Sequence, residues 1–184
     1  MENRVLLNKS IKSVKSKVHK VIPYGLIVIL AVLTRLLPHP PNFAPIDGLA
    51  LFSGSKFSKK IAVVIPLAAM VLSDIFLGFH NTIFFVYISF VVIAIMGSFI
   101  KQTKWYSLAA ASFLSSVIFF LVTNFGVWYV GGLYPKTFSG LIEAYVMGLP
   151  FFGNTLLSDF IYSFSFFYGF ALLKSREMAT KLDV

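Results

Sequence analysis

The sequence predicts an all-α membrane protein: a six-transmembrane-helix bundle with both termini cytoplasmic and an amphipathic outer segment between helices 5 and 6. Three observations predict it. The 184 residues are 58% hydrophobic, with mean hydropathy +0.84, so most of the chain is suited to lipid. The apolar residues fall into runs near the roughly 20 residues that a helix needs to cross a bilayer. The basic residues fall between those runs, in short clusters.

Each element follows in order. Residues 1–20 are basic, with Leu7, Ile11, Val14 and Val18 at helical spacing. They read as a cytoplasmic juxtamembrane segment on anionic lipid. Residues 21–174 form the transmembrane domain, and 175–184 a cytoplasmic tail. Clear spans are 21–37, 61–79, 82–100, 105–130 and 150–173. The stretch 42–55 is shorter, and the lysines decide its reading. If it spans, fourteen of the sixteen basic residues lie on the inner side, leaving only Arg35 and Lys136 outside. If it does not, that bias vanishes. The positive-inside rule therefore favours six spans with both termini cytoplasmic.

A net charge of +9 would suit nucleic acid in a soluble chain, but the apolar fraction excludes that class. With no cysteine, disulfides and thiolate chemistry are excluded too. The chain has no GxxxxGK[ST], HExxH or GxSxG motif. No cofactor, metal or catalytic group is expected, and the expectation is a protein that is not an enzyme.

The candidate site begins with charges stranded in apolar runs: Arg35, Asp47, Asp74 and Asp159. A charge at the centre of a membrane helix costs about 2.5–3.5 kcal/mol on insertion scales, so it pairs, protonates or faces water. At 1.5 Å per residue, Arg35, Asp74, Tyr87, Asn124 and Asp159 all fall within about 9 Å of the outer helix ends, and Asp47 begins helix 2 there. The outer connections add His39 and Asn42 in PHPPNFAP, and His80 and Asn81 in GFHNT. The long third connection carries Tyr134, with Asn154 beyond it. Its residues Phe138, Leu141, Ile142, Tyr145, Val146 and Leu149 share one helical face, bounded by Gly131–Gly132 and Gly148–Pro150. These ligand-binding candidates have plainer readings as well. Arg35 could pair with Asp47 or Asp74, contact a ligand, or do both. Trp128 and Tyr134 could stack on a flat ligand or form the aromatic belt. Asp74 and Asp159 could instead be the carboxylate pair of an intramembrane hydrolase. A non-catalytic assembly partner in the membrane is a further alternative.

The segments RLLPHPPNFAPIDGLALFSG, LSDIFLGFHNT with Tyr87, LVTNFGVWYVGGLYPKTFSGL and PFFGNTLLSD together resemble a family of small bacterial integral membrane transport proteins. That family looks related to the S, or substrate-binding, components of energy-coupling factor transporters. The resemblance implies a subunit that binds a small vitamin-like micronutrient near the outer face, under the loops joining helices 1–2, 3–4 and 5–6. It also implies a transmembrane coupling protein and two ATPases as partners. Helix 1 departs from the AxxxA docking pattern of S components, since Ala31 is followed four positions later by Arg35. A solitary uptake protein is therefore the alternative.

Overall fold

A computed structural model describes residues 25–100 and 104–182, with side chains described as far as Ser175. Residues 1–20 and the basic Lys101 thus lie outside the described residues. The described chain is all-helical. The helices are α1 (Gly25–Leu36), α2 (Ile46–Lys56), α3 (Lys59–Leu77), α4 (Ile83–Gly97), α5 (Trp105–Val130) and α6 (Phe138–Leu182). Three of them, α3, α5 and the Phe138–Ser175 part of α6, are long and apolar enough to cross a membrane.

Many large apolar side chains face outward, while a set of serines is buried alongside the apolar core around α2. Leu30, Phe76, Phe84, Leu121 and Leu157 are exposed, whereas Ser53, Ser73, Ser89, Ser112, Ser116, Ser158 and Ser163 are fully buried. A water-soluble bundle would reverse this order. Helices in lipid gain nothing by hiding leucine from lipid tails, so they associate through small residues and hydrogen bonds instead.

Helix α2 is the centre of the bundle, and Ile46 through Gly54 are all buried. At 11 residues it is about 16 Å long, near half of a ~30 Å hydrocarbon core. Surrounding helices, not lipid, cover it. It packs on α4 through glycines: a Cβ at Gly54 would collide with the Ala94 carbonyl, and one at Gly97 with the Leu51 carbonyl. The aromatic ring of Phe52 sits among Phe57, Phe166, Phe167 and Phe170.

The structure changes one expected boundary. The amphipathic segment and helix 6 are one helix of 45 residues, with Pro150 inside it. The helix continues through residues 175–182 of the expected cytoplasmic tail. Glycine and proline are weaker stops in a membrane helix, because neighbouring groups can satisfy the backbone a proline frees. The apolar face expected on the outer part of α6 points largely outward, with Phe138, Ile142, Val146 and Leu149 exposed. The small residues of that stretch, Ala144 and Gly148, turn inward instead.

The connections sort to two ends. The α1–α2, α3–α4 and α5–α6 loops converge around one cavity, described below. At the opposite end Ser55 Oγ donates to the Ile100 carbonyl at 3.0 Å, and the Lys56 ammonium lies 5.2 Å from the Phe167 ring centre. Lys56 and Lys174 are near enough there to interact electrostatically.

Candidate functional site

The cavity has a volume of about 540 Å³. Its polar lining comes from Arg35, His39, Asn42, Asp47, His80, Thr82, Thr123, Asn124 and Tyr134. Its apolar lining includes Met70, Phe90, Phe119, Met147 and Phe151. Phe90 and Phe119 are stacked, with ring centres 5.5 Å apart.

Arg35, one residue before the end of α1, is held by α3. Its Nη1 donates to Asp74 Oδ1 at 2.5 Å and also to Ser73 Oγ. Tyr87 of α4 donates from its hydroxyl to Asp74 Oδ2 at 2.8 Å. Both oxygens of the fully buried Asp74 are therefore engaged. A guanidinium has five N–H donors, and the two polar partners found for Arg35 both lie at Nη1. Among the described residues Nε and Nη2 have no hydrogen-bond partner, on a side chain that lines the cavity. Arg35 thus pairs with an aspartate and lines the cavity at once, whereas Asp74 and Tyr87 stand behind it as positioning residues.

The α1–α2 loop is shaped locally. The Phe43 N–H donates to the Pro40 carbonyl at 3.0 Å, closing a turn with Pro41 and Asn42 at its centre. Asn42 has φ +62°, a left-handed conformation that asparagine accepts more readily than most residues. The ring nitrogens of His39 lie 2.9 Å from the Pro40 carbonyl and 3.0 Å from the Arg35 carbonyl, fastening the loop to the end of α1. Helix α6 holds the same loop. Asn154 Nδ2 donates to the Pro41 carbonyl at 3.0 Å, and Ser158 Oγ donates to the Ala44 carbonyl at 2.8 Å.

The α3–α4 turn leaves α3 at Gly78, whose φ of +94° suits glycine. It contributes His80, whose Nδ1 lies 2.9 Å from Thr82 Oγ1. On α5, Asn124 Nδ2 donates to the Phe120 carbonyl at 2.8 Å, and Oδ1 lies against Gly148 of α6. Any side chain at Gly148 would displace that amide. Tyr145 closes the α5–α6 wall with a 2.9 Å bond from its hydroxyl to the Leu121 carbonyl.

Seven of the thirteen candidate residues line the cavity: Arg35, His39, Asn42, Asp47, His80, Asn124 and Tyr134. The other six, Asp74, Asn81, Tyr87, Trp128, Asn154 and Asp159, are not among its lining residues. Asp74, Tyr87 and Asn154 instead support residues that are. Trp128 donates from Nε1 to the Pro135 carbonyl at 3.0 Å and faces the Lys136 ammonium, so it anchors the loop that presents Tyr134. Asp159 accepts a 2.5 Å bond from Ser116 and interacts electrostatically with Asp47. The two aspartates of the hydrolase reading have different partners. Asp74 is committed to Arg35 and Tyr87, and the acid beside Asp159 is Asp47.

Sequence reasoning missed the apolar lining. Phe90, Phe119, Met147 and Phe151 sit in runs where nearly every residue is apolar, so no pattern distinguishes them from lipid-facing neighbours. Ala144 and Gly148 carry a faint signal, as small residues spaced four apart on one helix.

Fold and site together define a helical bundle with a membrane-type exterior and a polar cavity at one end. The chain belongs to the family of unknown function DUF6580, whose model matches residues 15–181. No curated protein and no solved structure matches it.

Proposed function

We propose that this protein is a membrane-embedded substrate-binding or transport protein for a small vitamin-like micronutrient, taken up from the outer face. The observation that carries the reading is the cavity itself. Its size falls in the range of small-molecule sites, roughly 300–1,000 Å³. Its lining combines an apolar floor with a few converging polar groups, as such sites do. An arginine edge, two histidines and two amides surround stacked phenylalanines, which suits a compact ligand with an anionic or carbonyl group on an aromatic body.

The lysine distribution supports six crossings with both termini cytoplasmic, and with them a cavity facing the outside of a bacterial inner membrane. The resemblance to S components supports the same reading, since their ligands lie under the same three loops. A coupling protein with two ATPases is then the natural energy source. The chain acts as a binding protein in this reading, not as an enzyme.

Native mass spectrometry of gently purified protein tests it. The expected result is a small molecule that co-purifies with the wild type and is lost from Arg35→Ala and from the cavity-filling Gly148→Leu. An absence of any bound small molecule, together with unchanged uptake of every candidate vitamin by cells carrying Arg35→Ala, would sink the proposal.

A further inference from the structure

Beside the cavity lies a second polar cluster, which shares Asp47 with the cavity wall. Asp47 is in the first turn of α2 and is 5% exposed, and Asp159 of α6 is fully buried. The two carboxylates interact electrostatically. The one ion pair found among the described residues joins Arg35 to Asp74, so no cationic side chain is seen to neutralise either acid.

Hydroxyls surround the pair. Ser116 of α5 donates to Asp159 Oδ2 and lies one turn from Ser112. Ser163 lies one turn beyond Asp159 on α6. Helices α5 and α6 are joined by the short 131–137 connection and packed together. With Ser116 bonded to Asp159, antiparallel packing brings Ser112 and Ser163 to the same level. Helix α2 closes the third side, where a Cβ on Gly48 would sit 2.8 Å from the Ser163 backbone nitrogen.

Four oxygens in this cluster are buried with no hydrogen-bond partner among the described residues: Asp47 Oδ1, Asp159 Oδ1, Ser112 Oγ and Ser163 Oγ. No other buried side-chain nitrogen or oxygen among the described residues shares that condition. Orphaned buried oxygens are uncommon in native folds, and one recurring reason is an ion. Two carboxylates in an apolar interior also need a counter-charge or a proton.

We propose that Asp47, Ser112, Asp159 and Ser163 form a site for a hard, oxygen-ligated metal cation. The donors are carboxylates and hydroxyls only, the ligand set of sodium, magnesium or calcium rather than of zinc or copper. Asp47 also lines the cavity, so it gives the ion a route inward and couples its occupancy to that wall. The site does not depend on the identity of any molecule in the cavity.

The test uses the full-length protein in detergent, treated with chelator and exchanged into choline chloride. NaCl, MgCl2, CaCl2 and KCl are then added separately at matched ionic strength. Thermal unfolding reports stabilisation, and calorimetry reports direct binding. Sodium, magnesium or calcium is expected to raise the melting temperature saturably, with the four salt arms distinguishing which and potassium as the comparison. Asp159→Asn is expected to weaken that affinity roughly tenfold or more. Ser112→Ala and Ser163→Ala, which keep the helix packing, are expected to weaken it several-fold while leaving the choline melting temperature near wild type. The proposal is overturned if no cation binds saturably, or if binding is the same in Asp159→Asn and the serine variants. It is also overturned if infrared spectra in every salt show a protonated carboxyl that Asp47→Asn and Asp159→Asn each remove, since a shared proton would then hold the pair.

Discussion

Removing the carboxylate of Asp74 isolates the physics of the cavity wall. In the wild type, Asp74 accepts from Arg35 on one oxygen and Tyr87 on the other, and its side chain is 1% exposed. Asp74→Ala therefore leaves a partly buried guanidinium without its counter-charge and the Tyr87 hydroxyl without its acceptor. Breaking a buried ion pair from one side costs about 3–5 kcal/mol. The Arg35 side chain keeps 16% exposure toward the cavity, which lets water relieve part of that cost. The expected loss is therefore near the lower end, about 3 kcal/mol, or over a hundredfold in the folding equilibrium. Reversible unfolding in mixed detergent and dodecyl sulfate micelles measures it. The decisive comparison is the double variant Arg35→Ala/Asp74→Ala, which removes both charges. It should be more stable than Asp74→Ala alone, because no unpaired charge remains. If Asp74→Ala lies within about 1 kcal/mol of wild type, or the second substitution only adds damage, the pair is not acting as a buried ion pair and the reasoning fails.

Other substitutions test the packing and the loop. Tyr87→Phe removes one hydrogen bond to a charged acceptor and should cost about 1.5–3 kcal/mol in the same unfolding assay. Gly54→Val places a side chain against the Ala94 backbone, which has no rotamer with which to retreat. It should destabilise the α2–α4 contact by about 1–3 kcal/mol or more, read as a lowered melting temperature. Asn42→Val forces a β-branched residue into φ +62° and should cost about 1–3 kcal/mol, whereas Asn42→Gly should be close to neutral.

How much of this was legible in the sequence depends on the kind of signal each residue carries. Arg35, Asp47, Asp74 and Asp159 stand out because charge is costly in lipid, and each has a buried polar role in the structure. Their partners were less readable. Pairing depends on helix rotation and register, which one helix's sequence does not state. Arg35 had two candidate aspartates, and only the packed structure selects Asp74. Asp159 had one proposed partner from sequence, Asp74, and the structure puts Asp47 beside it instead. Helix boundaries failed where soluble-protein punctuation was applied to α6. Gly148 and Pro150 looked like a break, yet Gly148 serves as the clearance for the Asn124 amide and Pro150 lies within a continuous helix.

The short α2 helix joins these observations. A half-length helix leaves its N-terminal end inside the bundle, below the level that a full span would reach. The space above it is where the three loops meet, and Asp47 in its first turn belongs both to the cavity wall and to the cluster with Asp159. Small residues permit that placement: Gly48 lets α6 close on α2, and Gly54 with Gly97 lets α4 close on its other side. A bulky residue at Gly48 should therefore disturb both polar regions at once. Gly48→Val is expected to lower stability and to weaken any cation binding at Asp159, since it pushes α6 away at Ser163. Gly132→Ala, where a Cβ meets open space, should change neither. Unfolding and cation titrations on the two variants check this. Equal behaviour of Gly48→Val and Gly132→Ala would show that the close approach of α2 to α6 does not control the cluster.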